Sequence, residues 1–285
     1  MGTDKEHGNL IIRRSEDRGN TWSSPIDSIT GLLRMGEYHT APMPVISYRG
    51  RIWRAVECAR SNTDIWGKRY SAMIISAPDS ADLLQAASWS VTDSLPYDST
   101  YLDGKFGAWL EGNAVVTPDG NVADLLRVDY APGPEYAALI RLRDSVSFDP
   151  FDPEKDFVRM PGGAKKFTVR YDSLSGRYWS LVNYVTQEWA GKQNPAWIRN
   201  TLALSSSPNL QEWTVHRTVL HHPDIAKHGF QYADWLFDGN DIVLLSRTAY
   251  DDNGTGAHNC HDANYMTFHR IKDFRKALTE QAGNR

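Results

Sequence analysis

Residues 10–22 read Leu10-Ile11-Ile12-Arg13-Arg14-Ser15-Glu16-Asp17-Arg18-Gly19-Asn20-Thr21-Trp22. A short apolar run leads into the pattern S-x-D-x-G-x-T-W, and each position in it has a mechanical meaning. Asp17 is placed to accept backbone N–H groups of a turn, and Gly19 supplies the positive φ that other residues resist. Trp22 follows to pack its ring under the hairpin. Strand, turn and aromatic make one half of a β-sheet unit.

Degenerate copies of this unit recur. Met73 to Asp79 runs toward Trp89, Ala137 to Asp144 leads to Phe148 and Phe151, and Tyr265 to Ile271 leads to Phe274. Thr201 to Ser207 continues to Trp213, with Ser206 and Trp213 keeping the separation of Ser15 and Trp22. Trp22, Trp89 and Trp213 are read as core residues. A second unit alternates with the first: an apolar strand, a hairpin turn and another strand. It spans Ala41 to Glu57 around Arg49-Gly50, Glu111 to Asp129 around Pro118-Asp119-Gly120, Phe167 to Asn183 around Ser175-Gly176, and Gln231 to Arg247 around Asp238-Gly239-Asn240.

A propeller blade is a four-stranded sheet made from one unit of each kind. Five outer hairpins and four inner ones predict an all-β, five-bladed β-propeller, a single domain over residues 1–285, whose first blade lacks its inner strand pair. The polar lead from Gly2 to Asn9 runs straight into the first outer strand, which suggests a native chain extending upstream of Met1.

Composition agrees with this reading. The chain of 285 residues can bury a substantial core, and its ten Trp, thirteen Tyr, 21 Gly and 14 Pro suit short strands joined by turns. Helical periodicity is confined to Ala81–Ala87 and the last dozen residues. A net charge of −4 with both signs interspersed excludes a basic nucleic-acid stripe. The longest apolar runs are far too short for a membrane helix. Cys58 and Cys260 show no metal-ligand spacing and are read as buried thiols, a disulfide remaining open. No signal peptide precedes Thr3, so the chain is either cytoplasmic or the processed form of an exported protein.

The Ser15–Trp22 turn resembles the Asp-box of sialidases and other BNR-repeat proteins. Three further segments resemble a sialidase-like branch from bacterial polysaccharide-degrading systems: Tyr38-His39-Thr40-Ala41-Pro42 with Arg51-Ile52-Trp53-Arg54, then Leu110-Glu111-Gly112-Asn113, then His261-Asp262-Ala263-Asn264-Tyr265 with Phe268-His269-Arg270. The resemblance implies a propeller acting on a carbohydrate, secreted or periplasmic, with no cofactor. The chain departs from true sialidases in lacking an early Arg-Ile-Pro motif, and neither a Tyr–Glu nucleophile pair nor an arginine triad is assignable by motif.

In a propeller the innermost strands line the channel, so polar residues at their starts are the candidates. These are His39; Trp109, Glu111 and Asn113; Lys165, Lys166 and Arg170; and His228, Gln231, Tyr232, Asp234 and Trp235. Second strands add Arg54, Glu57, Arg127, Asp129, Asn183 and Arg247, and the closing loop adds His258, His261, Asp262 and Asn264. Glycoside hydrolysis needs one carboxylic acid and one carboxylate. Glu111 and Asp234, each near a Trp, form the leading pair, with His39 as a further catalytic candidate. Arg54, Glu57, Trp109, Arg127, Arg170, Gln231, Tyr232, Arg247, His261 and Asn264 are candidate substrate contacts. Converging arginines would suit an acidic sugar; inter-blade ion pairs are the alternative. Trp189 and Trp197 flank a loop that could edge the pocket as a sugar platform.

The leading expectation is a glycoside hydrolase. A polysaccharide lyase using His39, His261 or Tyr232, and a glycan-binding propeller without turnover, are the alternatives. No metal is assigned, although His39, His228 and His261 could supply ligands from separate blades.

Overall fold

A computed structural model describes residues 7–59, 63–131 and 133–280. Residues 2–6 of the polar lead and 281–285 of the expected C-terminal helical stretch lie outside the described residues. The rest is strand and turn, with short helical turns at Tyr101–Gly104, Pro153–Asp156 and Ala277–Glu280.

The strands form four sheets. The first contains β1 (Gly8–Ile11), β2 (Leu32–His39), β3 (Ile46–Tyr48), β4 (Arg51–Ala59), β5 (Tyr70–Pro78) and β6 (Ser90–Val91), in the order β1-β2-β4-β5-β6 with β3 also on β4. The second contains β7 (Phe106–Val116), β8 (Val122–Tyr130), β9 (Tyr136–Arg141) and β10 (Phe157–Arg159), in the order β10-β9-β8-β7. The third runs in sequence through β11 (Thr168–Asp172), β12 (Arg177–Asn183), β13 (Thr201–Ser207) and β14 (Thr214–His221). The fourth has three strands, β15 (Gly229–Asp238), β16 (Asp241–Ala249) and β17 (Tyr265–Ile271).

Four blades, not five, is the first correction. All four predicted inner hairpins form, as β3–β4, β7–β8, β11–β12 and β15–β16. The Leu10–Trp22 segment does not begin a blade of its own, and the defective first blade does not exist. The reason lies in β4, which is long enough to take two partners along one edge. Its first half pairs with β3, from Tyr48↔Arg51 to Ile46↔Trp53, and its second half pairs with β2 through Tyr38↔Cys58 and His39↔Glu57. β1 then adds to β2, so the outer hairpin is absorbed into the first sheet.

The turn read from residues 15–22 has the expected bonds. Ser15 Oγ accepts the Gly19 N–H at 2.7 Å, and the Asp17 carboxylate accepts Thr21 N–H at 2.8 Å and Thr21 Oγ1–H at 2.7 Å. These donors, the Thr21 N–H foremost, hold Asp17 at a pKa of about 2. Gly19 has φ +90° and its carbonyl accepts the Trp22 indole N–H at 3.0 Å. A second copy sits at Ser207–Trp213: Leu210 takes φ +67° and its carbonyl accepts the Trp213 indole N–H at 3.0 Å. The reading of these tryptophans as core is corrected. Trp22 is 56% exposed, and Trp89 and Trp213 are half-buried. Each indole spends its N–H on a nearby carbonyl, which keeps the ring on the hairpin surface.

The chain divides into two compact units. One comprises Met1–Ser99, Ala108–Leu126 and Ile140–Asp152; the other comprises Thr100–Gly107, Arg127–Leu139 and Pro153–Arg285. The first unit is packed around Trp53, Ala55, Ile74, Ala114, Val122 and Leu142, with a second group of Tyr38, Val56, Cys58, Met73 and Ile75. The other unit is packed around Trp179, Leu204, Phe230, Trp235, Leu244 and Phe274. Cys58 and Cys260 are buried thiols that form no disulfide with each other. Among the described residues no helix is long and apolar enough to cross a membrane.

Candidate functional site

In the first unit, β2, β4, β7 and β8 bring charged groups into a buried position. His39 and Glu57 are direct cross-strand partners, and His39 Nδ1 lies 3.2 Å from Glu57 Oε2. The Glu57 side chain is fully buried, and its other oxygen, Oε1, accepts the Gly112 N–H at 3.0 Å. The residue before that glycine is Glu111, itself buried, with φ +53° inside β7. A left-handed, non-glycine residue within a strand costs roughly 1–2 kcal/mol and persists where the surroundings enforce it, often at functional positions.

Asp124 completes the group from β8. It is fully buried, and both carboxylate oxygens lack a hydrogen-bond partner. Burial, and then the charge of Glu57, push its pKa well above the usual carboxylate range. Tyr70 flanks His39 with ring centroids 4.9 Å apart and takes a 2.6 Å hydrogen bond with His7 Nε2. Three carboxyl groups and an imidazole withdrawn from water are what proton-transfer chemistry requires.

Other candidates of this unit have structural partners. Arg54 donates to the carbonyls of Met43 at 2.7 Å and Ala41 at 3.0 Å, pinning the segment before β3. Burial lowers its pKa, and Glu57 opposes that shift. Asn113 donates to Leu125 O at 3.3 Å. Trp109, a proposed sugar contact, is fully buried, gives its indole N–H to Pro96 O at 2.9 Å and meets Phe151 edge-on. It is a packing position, because no face of its ring is open.

The other unit groups Gln231, Tyr232, Arg247 and His261 with Arg199. Gln231 is fully buried; its amide donates to the carbonyls of Cys260 at 2.8 Å and His261 at 2.6 Å, and its oxygen accepts from Arg199 Nη1 at 2.7 Å. Tyr232 has φ +52°, at the register shift between Gln231 and Asp234 that bulges β15 against β16. Its ring lies under the Arg247 guanidinium at 4.6 Å, with Arg199 at 6.0 Å and the His261 ring at 6.3 Å. Glu111 and Tyr232 thus share one device, a left-handed residue in the first strand of a hairpin pair.

The remaining candidates are engaged locally. Asp234 accepts the Trp235 N–H at 3.0 Å and pairs with Arg170 Nη2 at 3.3 Å, while Arg170 Nε donates to Trp235 O at 2.6 Å. Arg127 is buried and donates to Ala164 O at 2.9 Å. Lys165 is buried against Glu135 and Pro195 O; burial lowers its pKa and Glu135 opposes this. Asn264 ties the loop after β16, bonding both the N–H and the carbonyl of Tyr250. Sequence reasoning missed Asp124 and Arg199. A signal existed for the first, an acid inside the otherwise apolar run Val122–Leu126. Arg199 stands in a loop with no pattern around it.

No family model matches the sequence, and no curated protein matches it. Solved structures match in fold. A B. megaterium levansucrase mutant aligns at TM-score 0.52 and 9% identity, covering 92% of this chain and 73% of that one. BT0996, in a complex with RGII, aligns at TM-score 0.51 and 12% identity, covering 94% and 75%. A Bombyx mori GH32 beta-fructofuranosidase aligns at TM-score 0.48 and 15% identity over 74% of this chain, which spans only 41% of that protein's length. The neighbours are glycoside hydrolases with β-propeller folds, and at these identities the likeness establishes fold alone. Nothing among these matches is specific to sialidases.

Proposed function

We propose that the protein is a glycoside hydrolase whose proton transfers are run by the buried carboxyl groups of the first unit, with Glu57 as base or nucleophile, Glu111 as proton donor and His39 orienting Glu57. The observation that carries this reading is the Glu57 carboxylate, held in a fully buried position by His39 and by the N–H of Gly112, next to a strained Glu111. A carboxylate fixed by two such contacts can serve as base or nucleophile, and a second carboxyl withdrawn from water can protonate a leaving oxygen. The fold's likeness to a levansucrase agrees with this reading. Asp234 remains proposed as a further catalytic carboxylate, tested by Asp234→Asn with folding verified. If that variant retains native turnover, Asp234 serves only to pair Arg170.

The Arg247 guanidinium over the Tyr232 ring favours an acidic sugar. The same grouping supports a second reading, a lyase in which Tyr232 or His261 abstracts a proton beside a uronate carboxylate. The sialidase-like affiliation is proposed on the Ser15–Trp22 turn, and an extracellular setting on the polymeric substrate. The deciding experiment exposes the protein to acidic and neutral polysaccharides and follows reducing ends together with the ultraviolet absorbance of unsaturated uronates. Reducing ends alone support the hydrolase, and both signals support the lyase. Silence in both overturns an enzymatic role in favour of glycan binding.

A further inference from the structure

At the entry to β15, in the second unit, three potential metal ligands converge, His228 among them but without His39 or His261. His222 follows β14, His228 precedes β15 and Asp251 follows β16. One ligand atom from each lies within 4.8 Å of the others. The two imidazoles are stacked, with centroids 3.5 Å apart and planes 17° from parallel, and Tyr250 meets both edge-on.

Asp224 orients the His228 ring. Nδ1 lies 2.8 Å from Asp224 Oδ2 and donates to it, which leaves Nε2 as the nitrogen turned toward Asp251. His228 is buried to 5% exposure, and Nε2 has no hydrogen-bond partner. A buried imidazole nitrogen left unpaired is costly unless something occupies it. What faces it is Asp251 Oδ2, 3.4 Å away. At 3.4 Å the two atoms are within ion-pair reach but farther apart than in a good hydrogen bond. Around a tetrahedral zinc, with bonds of roughly 2.0–2.2 Å, two ligand atoms sit roughly 3.4 Å apart. A carboxylate fixing the far nitrogen of a ligating histidine is also the usual arrangement behind protein-bound zinc.

We propose that His222, His228 and Asp251 bind a divalent transition metal of the zinc class, with Asp224 orienting His228 and a fourth position open to solvent beside the exposed Asp251. His222 joins with one ring nitrogen. Its Nδ1 accepts the Asp224 N–H at 3.1 Å, and for both imidazoles to direct a lone pair at one ion the stacked rings must splay apart. The metal would tie the start of the loop after β16 to the first residues of β15. That loop supplies the Cys260 and His261 carbonyls bonded by Gln231, so its occupancy would firm the Tyr232 grouping without entering it.

The test uses the full-length protein, stripped with a chelator and dialysed. Zinc chloride is titrated by calorimetry, and cobalt chloride by visible absorption, which reports tetrahedral coordination. One equivalent is expected to bind and to raise the melting temperature. Asp251→Asn, at an exposed position, should weaken zinc at least about 10-fold, and His222→Gln and His228→Gln should weaken it further. Asp262→Asn, which removes the carboxylate between His258 and His261, should leave binding unchanged. The proposal is overturned if the native protein takes up no zinc. It is equally overturned if Asp251→Asn and His222→Gln bind as the native protein does, or if Asp262→Asn alone abolishes binding. Should His228→Gln fail to fold, the Asp251 and His222 variants decide.

Discussion

A Cβ placed on residue 112 would lie 2.1 Å from Oδ1 of Asp124 and 2.6 Å from Oδ2. Gly112 is therefore the space that the Asp124 carboxyl occupies, and its N–H is the donor that holds Glu57. One glycine thus serves both carboxylates.

Gly112→Ala should lose about 2–3 kcal/mol of stability, because the buried Asp124 carboxyl leaves the added methyl no room. Urea denaturation measures this. A loss below about 0.5 kcal/mol would mean that Asp124 can move aside freely.

Asp124 also sets a pH dependence. Its folded pKa is raised by burial and by Glu57, so the native state keeps a proton that the unfolded chain releases. The group's contribution is complete below the unfolded value of 3.8 and is lost as pH rises toward the folded pKa. Asp124→Asn, neutral at every pH, should flatten the fall in melting temperature across that window. Parallel pH profiles for native and variant protein would contradict the assignment.

Glu111→Gln and Glu57→Gln should each reduce turnover about 100-fold or more on whichever polysaccharide is cleaved, with the circular dichroism spectrum unchanged. His39→Asn, acting through Glu57, should reduce kcat less and shift the pH–rate profile. If Glu57→Gln and Glu111→Gln both keep more than about a tenth of native activity, the chemistry lies elsewhere.

Arg247→Met removes the guanidinium above Tyr232 while keeping the length of the side chain. KM for acidic substrates should rise about 10-fold, the scale of one lost charge-assisted contact, while neutral substrates are unaffected. An equal effect on both would reduce Arg247 to a support for the His261 carbonyl that it bonds at 2.9 Å.

Arg275 grips Asp172 with Nε at 2.7 Å and Nη2 at 2.6 Å. The guanidinium is the chief reason that the Asp172 pKa falls to about 2. A lowered acid stabilises the fold above pH 3.8 and loses its contribution as pH drops toward 2. Arg275→Met should therefore cost about 1–2 kcal/mol at neutral pH, water around the half-buried guanidinium screening part of the full value. The cost should be much smaller near pH 2. A cost that is independent of pH would point to lost packing on Phe274 instead.

The hairpins were legible in the sequence because their determinants are local. Arg49 and Gly50 both take positive φ, Gly120 and Gly239 do so in two more of the predicted turns, and the Ser15–Trp22 bonds follow from spacing alone. Glu111 was marked by an expected place at the start of an inner strand, although it stands midway along β7, and Arg247 and Tyr232 by their inner-strand positions. The number of blades was not legible, because it depends on Tyr38 and His39 pairing with Cys58 and Glu57, an edge contact with no local signature. Nor could the sequence show that Asp124 is buried without partners, that Arg199 reaches Gln231, or that His222, His228 and Asp251 meet. Turn chemistry is written among neighbours in the chain. Strand partnership, and the withdrawal of a charge from water, are settled only when segments remote in sequence close on one another.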